Sequence, residues 1–169
     1  EENIMEHSQS VAVIAHALAV IRNEVYGGKA DVLKTVLYAM YHETSEVMTG
    51  DLPTPVKYYN RSIHGAYKQL EKSACEKITD MLPEELKKGI APFVLADEDS
   101  EEYRLVKAAD RLSAYIKCLE ELRSGNSEFS KAKKSIEADL RSRHMPEVEY
   151  FFENFIPSFS LTLDELEGF

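Results

Sequence analysis

The segment from Asp31 to about Met48 most constrains the fold, because it is apolar on nearly every side of a helix. Its apolar residues are Val32, Leu33, Val36, Leu37, Tyr38, Ala39, Met40 and Tyr41. A helix without a polar face is stable only among other elements that cover it. We therefore predict a central helix over this segment, with the rest of the chain packed around it.

Helical periodicity extends over most of the remaining chain. One helix face, made by His7, Val11, Ile14, Leu18 and Ile21, predicts a helix from Asn3 to about Asn23, with Asn3 and Glu6 as a capping box. Further helices are predicted at 62–81, 83–95, 103–122, 128–143 and 146–155, and a last short one after a capping box at Thr162–Glu165. In the 62–81 helix the residues predicted to face inward are Ile63, Ala66, Tyr67, Leu70, Ala74 and Ile78. No alternating run indicates a strand, so we expect an all-α fold of about six to eight helices.

Length and charge limit the classes of function. A chain of 169 residues is one domain, and it buries roughly 70% of its unfolded surface without needing disulfides. A net charge of −10 argues against a nucleic-acid surface, which needs clustered cations. A small phosphorylated substrate stays compatible with this charge, because a metal ion reverses the local field.

The cysteines and the apolar runs bear on the cell compartment. Cys75 and Cys118 lack CxxC spacing, which favours reduced thiols in a cytoplasmic protein. No run approaches eighteen uninterrupted apolar residues, so we expect no membrane span. The first residue is Glu1 rather than Met, and we expect the natural chain to begin upstream of it.

Polar residues collect where the central helix ends. His42 and Glu43 follow an apolar run, and a buried carboxylate needs a charged partner or a metal. Glu46 follows His42 by four residues, which places both on one helix face. The alternative is a helix-end histidine beside solvated glutamates. The prolines of the next loop, Pro53 and Pro55, predict a stiff connection that presents Asp51 and holds Leu52 and Thr54 extended.

Two other helices offer matching groups. Asp110 lies mid-helix, where Asp is a poor helix former, beside the small Ala109. Its alternative role is a salt bridge with Lys107 or Arg111. His7 begins the apolar face of the first helix, where a plain helix-terminal histidine is the alternative.

Together these groups make a plausible metal site. His7, His42, Glu43 and Asp110 offer two imidazoles and two carboxylates from three helices. Such a mixed N/O set suits an octahedral divalent ion such as Mn²⁺, Co²⁺ or Fe²⁺, with water in the open positions. The lowered pKa of that water provides a nucleophile for a phosphate ester or an amide.

The arrangement of these motifs resembles the HD-domain phosphohydrolases, in which a helical His precedes a helical His-Asp pair and a distant Asp. Longer strings are similar to one subgroup, the bacterial 5′-deoxynucleotidases. These strings are EHS at 6–8, YHETSEVMTGDLPTPVKY at 41–58, YIKCLEEL at 115–122 and PSFSLTLDE at 157–165. The resemblance covers nearly the whole chain, so it is far more specific than a two-residue motif.

The resemblance implies one helical HD domain over residues 1–169, usually as a homodimer. It implies a 5′-nucleotidase that uses Co²⁺, Mn²⁺ or a similar ion to convert deoxyribonucleoside 5′-monophosphates to deoxynucleoside and phosphate. By position, the metal ligands are His7, His42, Glu43 and Asp110, and the catalytic carboxylates are Glu46 and Asp51. The implied substrate contacts are His42 and Asp51, and Lys57 after the proline loop is expected to meet a phosphate oxygen or to be a plain surface lysine.

The chain departs from this family pattern at the HD pair, where Glu43 replaces the Asp. The extra methylene moves the carboxylate by roughly 1.5 Å, one C–C bond. The resemblance also implies that residues sensing the missing 2′-hydroxyl lie upstream of Glu1. Three alternatives stay open: an enzyme for another nucleotide or small phosphoester, a module that binds a nucleotide without turnover, and a purely structural helical protein.

Overall fold

The computed structural model describes residues 3–52, 54–57, 59–161 and 165. Within these ranges the chain is all-helical without strands, which confirms the predicted fold class, and seven helices have nine or more residues. The helices are α1 (Ile4–Glu24), α2 (Val32–Tyr41), α3 (Glu46–Thr49), α4 (Thr54–Lys57), α5 (Arg61–Asp80), α6 (Glu84–Val94), α7 (Glu101–Arg123), α8 (Phe129–Ser142) and α9 (Pro146–Asn154), followed by a 3₁₀ turn (Ile156–Ser160). The predictions for Pro53 and for the capping box beginning at Thr162 lie outside the described residues.

The core forms where α1, α2 and α7 pack against one another, with α9 against α1. Fully buried leucines and valines from α1, α7, α8 and α9 belong to this core: Val11, Leu18, Leu105, Val106, Leu112, Leu140 and Val148. Helix α2 lies between α1, α6 and α7, as its apolar sequence predicts. It is not covered on every side, because Leu33 is 77% exposed and Met40 is 52% exposed.

The predicted capping box at the start of α1 is present. The Asn3 side chain accepts hydrogen bonds from the backbone N–H groups of Met5 and Glu6, and the Glu6 carboxylate accepts one from the Asn3 N–H at 3.0 Å. These bonds satisfy N–H groups that the first turn leaves unpaired. They define the first turn, which contains His7.

We predict that Asn3→Ala lowers the free energy of unfolding by about 1 kcal/mol, since Ala cannot accept the capping bonds. Urea denaturation followed by circular dichroism measures this difference. Asn126 lies in the turn after α7, and its side chain donates a hydrogen bond to Glu121 at the end of α7. Asn126→Ala is therefore the matched control for an Asn→Ala change outside α1. An Asn3→Ala midpoint equal to that of the unmodified protein would contradict the prediction.

Helix α1 is apolar because it lies in the core. Of the described residues, it alone is long and apolar enough to cross a bilayer by length and composition. Its buried positions include Val11, Ala15, Leu18 and Ala19, which face α2 and α7 rather than the surface. The composition of α1 therefore follows from its packing.

Helix α5 is more exposed than its pattern predicts. Tyr67 and Ala74 are buried, but Ile63 is 38% exposed and Leu70 is 51% exposed, so the predicted inward face is only partly correct. The reason is that α5 packs mainly against the short helices α3 and α4 and against α6. These helices are too small to cover its whole apolar side.

Candidate metal centre and its acidic neighbours

The central helix ends earlier than predicted, at Tyr41, and the chain turns through residues 42–45 before α3. In this turn the backbone bonds span three residues: Thr44 N–H donates to Tyr41 O, and Glu46 N–H donates to Glu43 O, both at 3.0 Å. At three residues per turn, side chains i and i+3 lie above one another. The tighter winding therefore brings Glu43 next to Glu46.

The loop after α3 also differs from the expectation. Gly50 has φ = 68°, a left-handed conformation that ends α3, and the exposed Asp51 follows it. Thr54 is not extended as predicted but begins the one-turn helix α4. A proline at the second helical position is compatible with this, since the N–H groups of a first turn are unpaired anyway.

Three of the four predicted metal ligands meet at one point. His7 from α1, His42 after α2 and Asp110 from α7 each present one ligand atom, and these atoms lie within 4.8 Å of one another. The His7 Nε2 and Asp110 Oδ1 atoms are 3.3 Å apart, and the two imidazole centroids are 5.4 Å apart. Two nitrogens and one oxygen from three packed helices are a fitting donor set for a divalent transition metal.

His42 is held in the state that a metal ligand needs. Its Nδ1 lies 2.6 Å from the carbonyl oxygen of Ala39. Because a carbonyl oxygen only accepts, Nδ1 carries the hydrogen and Nε2 carries a lone pair. Burial lowers the pKa of His42 to about 4, so the ring is neutral at pH 7. Nε2 is buried and has no hydrogen-bond partner among the described residues, which is costly unless a ligand meets it.

Asp110 is held as a carboxylate by its neighbours. Burial by itself would raise its pKa, but the hydrogen bond from His7 and the charge of Lys107 hold that pKa below its ordinary value. The Lys107 Nζ lies 3.4 Å from Oδ2, on the oxygen that does not face His7. The ion pair with Lys107 is thus present, whereas Arg111 pairs with Asp139 instead.

Glu43 lies beside the three-residue cluster rather than in it. Its Oε1 is 3.2 Å from His42 Nε2, in a geometry that is not a hydrogen bond. Burial, followed by a hydrogen bond with Glu46, raises the pKa of Glu43 to about 8. The Glu43 side chain, one methylene longer than the Asp of the family pattern, therefore contacts both His42 of the three-residue cluster and Glu46.

Glu46 is buried, with 8% of its side chain exposed, and its compensating charge is Lys57. The Lys57 Nζ donates a hydrogen bond to Glu46 Oε1 at 3.0 Å and lies 3.6 Å from Glu71 Oε1. The predicted phosphate-binding lysine thus lies among the carboxylates of the site. The exposed Asp51 lies on the loop between α3, which carries Glu46, and α4, which carries Lys57.

We predict that metal binding at pH 7 releases about one proton, because Glu43, with a pKa of about 8, is mostly protonated before the ion arrives. A nearby dication favours the carboxylate, so metal affinity rises with pH up to about 8 and then levels off. Calorimetry of Mn²⁺ binding in buffers of different ionisation enthalpy counts the protons. Glu43→Gln, the matched control, should release none, and equal release from both proteins would contradict this assignment.

The fold has known counterparts among solved structures. It matches an HD-domain phosphohydrolase from Listeria innocua with a TM-score of 0.80 at 21% identity, over 98% of this chain and 81% of the other. It also matches a conserved hypothetical protein from Pyrococcus furiosus with a TM-score of 0.61 at 26% identity, over 88% of this chain and 83% of the other. The chain therefore has the fold of the HD-domain phosphohydrolase.

The sequence comparisons identify one family within this fold. The model of the family described as 5′-deoxynucleotidase YfbR-like matches residues 1–159. A 5′-deoxynucleotidase of Vibrio cholerae is 52% identical over 98% of this chain and 86% of that protein, and the 5′-deoxynucleotidase YfbR of Escherichia coli is 54% identical over 98% and 83%. The chain belongs to the YfbR-like 5′-deoxynucleotidase family, which confirms the resemblance inferred from its motifs.

Sequence reasoning missed one group at this site. Glu71 lies on α5 outside every motif, and only its spacing of four residues from the buried Tyr67 marks the helix face that it shares. Lys107 was named solely as an ion-pair partner of Asp110, although its ammonium group lies at the edge of the cluster. Lys107 follows from its i,i+3 spacing to Asp110 on α7, whereas no motif identifies Glu71, because it reaches Lys57 only through the packing of α5.

Proposed function

We propose that this chain is a metal-dependent 5′-deoxynucleotidase that hydrolyses deoxyribonucleoside 5′-monophosphates to deoxynucleoside and phosphate. The observation that carries the proposal is His42, a buried neutral imidazole whose Nε2 has no hydrogen-bond partner among the described residues. A ring nitrogen of His42 lies within 4.8 Å of ligand atoms on His7 and Asp110. Membership of the YfbR-like family supports the same activity. Glu43, beside His42, is the fourth proposed ligand.

The ion proposed for this cluster is Co²⁺, Mn²⁺ or a similar dication, held by His7, His42 and Asp110, with Glu43 beside them. When bound, such an ion lowers the pKa of water and neutralises charge on a phosphate ester. The rest of the chemistry belongs to the carboxylates that the structure gathers next to the cluster.

In the proposed reaction a water oxygen forms a bond to phosphorus while the bond from phosphorus to the 5′-oxygen breaks. Glu46 accepts the proton of the attacking water, and Asp51 donates a proton to the departing 5′-oxygen. His42 and Asp51 contact the substrate. Lys57 has three N–H groups, so it can direct one to a phosphate oxygen while it contacts two carboxylates.

The division of roles between Glu46 and Asp51 predicts changes in the pH dependence of kcat/KM. Glu46→Gln should lose the acidic limb of the profile, since a base must be deprotonated to act, and Asp51→Asn should lose the basic limb. Initial rates of phosphate release between pH 5 and pH 9 measure both. Unchanged profiles in both variants would rule out this division.

The activity itself is tested by adding Mn²⁺ or Co²⁺ to metal-free protein and assaying phosphate release from dAMP, AMP and 3′-dAMP. We expect release from dAMP, dependence on the ion and its loss with EDTA. Release from 3′-dAMP would indicate a different phosphoester substrate. No release with either ion would favour the second candidate, a module that binds a nucleotide without turnover. The observation behind this candidate is Glu43, which replaces the Asp of the family pattern. Recovery of activity in Glu43→Asp would locate the defect at that residue.

We also propose that residues 1–169 form one HD domain and that the enzyme is a cytoplasmic homodimer that binds no nucleic acid. The shared core of α1, α2 and α7 supports a single domain. The free thiols of Cys75 and Cys118 support a reducing compartment. Light scattering after gel filtration distinguishes a dimer from a 19.2 kDa monomer.

A further inference from the structure

Three helices, α3, α4 and α5, meet at the ammonium group of Lys57. Besides Glu46 on α3 and Glu71 on α5, the ammonium lies 4.9 Å from the ring centroid of Tyr67, also on α5. Tyr67 and Glu71 are four residues apart, so both side chains lie on one face of α5. The phenol of Tyr67 donates a hydrogen bond to the Gly50 carbonyl at 3.4 Å. Helix α5 therefore contacts both the end of α3 and the end of α4.

These contacts decide where α3 and α4 lie. Each helix has only four residues, and so short a helix has no stability of its own. The bonds to α5 consequently determine the position of the carboxylate on Glu46. A longer helix would hold the backbone of Glu46 by its own hydrogen bonds.

Burial separates this ion-pair group from ordinary surface pairs. The exposed side-chain fractions are 8% for Glu46, 21% for Lys57 and 32% for Glu71. On the same helix, Lys68 pairs with Glu98 at 3.1 Å, but these side chains are 56% and 60% exposed. Solvent screens the second pair and much less the first.

Lys57 can fix the position of the Glu46 carboxylate only while the Lys57 ammonium is itself fixed in position. Its stem of four methylene groups is flexible, and Glu46 supplies one contact. Glu71 supplies a second contact, at 3.6 Å, from a helix of twenty residues. Since two carboxylates restrict the ammonium more than one does, removing Glu71 gives the ammonium more freedom to move, and Glu46 moves with it.

We propose that Glu71 is a positioning residue, which acts through Lys57 to hold the Glu46 carboxylate where it receives the proton of the attacking water. The inference rests on the proposed function, because Glu46 is the proposed base. Glu71 itself touches no reacting atom. Its effect therefore depends on the presence of the Lys57 ammonium.

A double-mutant cycle tests this dependence. In the otherwise unmodified protein, Glu71→Gln should lower kcat for dAMP about three- to tenfold and leave KM within about twofold, since a misplaced base affects the chemical step. In a Lys57→Met background the same change should have almost no further effect. Glu98→Gln, which breaks the exposed ion pair of Lys68 on α5 with Glu98 between α6 and α7, is the matched control and should leave kcat unchanged.

A second measurement needs no turnover. Hydrogen exchange followed by mass spectrometry on peptides spanning α3 and α4 should be about threefold faster in Glu71→Gln than in Glu98→Gln. Equal exchange in the two variants would overturn the inference even if the protein hydrolyses no nucleotide. So would an equal loss of kcat with and without Lys57, because Glu71 would then act by another route. An inactive unmodified protein with faster exchange in Glu71→Gln would refute the proposed function and leave the structural link supported.

Discussion

Asp110→Asn is expected to reduce the affinity for Mn²⁺ or Co²⁺ by at least about 100-fold, and phosphate release falls with it. Groups that only orient a ligand already contribute about 10–100-fold to metal affinity, and Asp110 supplies the anionic oxygen of the three-residue cluster. The neighbours of Asp110 hold it as a carboxylate, so an amide removes a full negative charge. Calorimetric titration of the metal-free variant gives the affinity directly.

The Asp110→Asn variant should still fold. Asn has the same shape, its amide can still meet His7, and the core beside it is formed by α1, α2 and α7. Asp139→Asn is the matched control: Asp139 pairs with Arg111 and Arg143, and its side chain is 37% exposed. Control protein and Asp110→Asn should have similar circular dichroism, and wild-type affinity in Asp110→Asn would place the ion elsewhere.

Glu46→Gln should lower kcat for dAMP by about 10² to 10⁴, the range that a positioned general base contributes. The amide cannot accept the proton of the attacking water, and it also removes the charge that pairs with Lys57. Metal content should stay close to that of the unmodified protein, because Glu46 lies outside the three-residue cluster. Steady-state phosphate assays with metal analysis of the same samples separate the two effects.

Glu84→Gln is the control for an added amide, since the Glu84 side chain is 86% exposed and pairs only with Lys87 on its own helix among the described residues. The Glu84→Gln variant should have the same kcat as the unmodified protein. If Glu46→Gln loses metal and activity in the same proportion, Glu46 is a ligand rather than a base. If it keeps full kcat, the proton of the attacking water goes to another group.

Much of this protein follows from local patterns. The capping box at Asn3, the apolar face of α1 and the absence of alternating runs predict an all-helical chain, because helix starts and faces depend on residues three and four apart. The polar residues His7, His42 and Asp110 are predicted ligand candidates, because two imidazoles and a carboxylate on core-facing helices suit a divalent ion. Residue type and spacing are sufficient for both conclusions.

The end of the central helix was not predictable in the same way. Its pattern continues to Met48, but the structure ends it at Tyr41 and winds the next residues more tightly. That change stacks Glu43 directly over Glu46, whereas a regular α-helix would have placed Glu46 beside both His42 and Glu43. Tertiary contacts override propensity over segments as short as α3.

By itself the sequence determines the helices, the family and the kinds of group that can bind a metal, since these depend on periodicity and on chemistry that each residue carries. Only the tertiary structure decides which groups touch. It places Glu43 between the His42 imidazole and Glu46, and it brings Glu71 from α5 to Lys57. The physical reason is that contacts between helices depend on how the whole core packs, and no local pattern along α3, α4 or α5 encodes that packing.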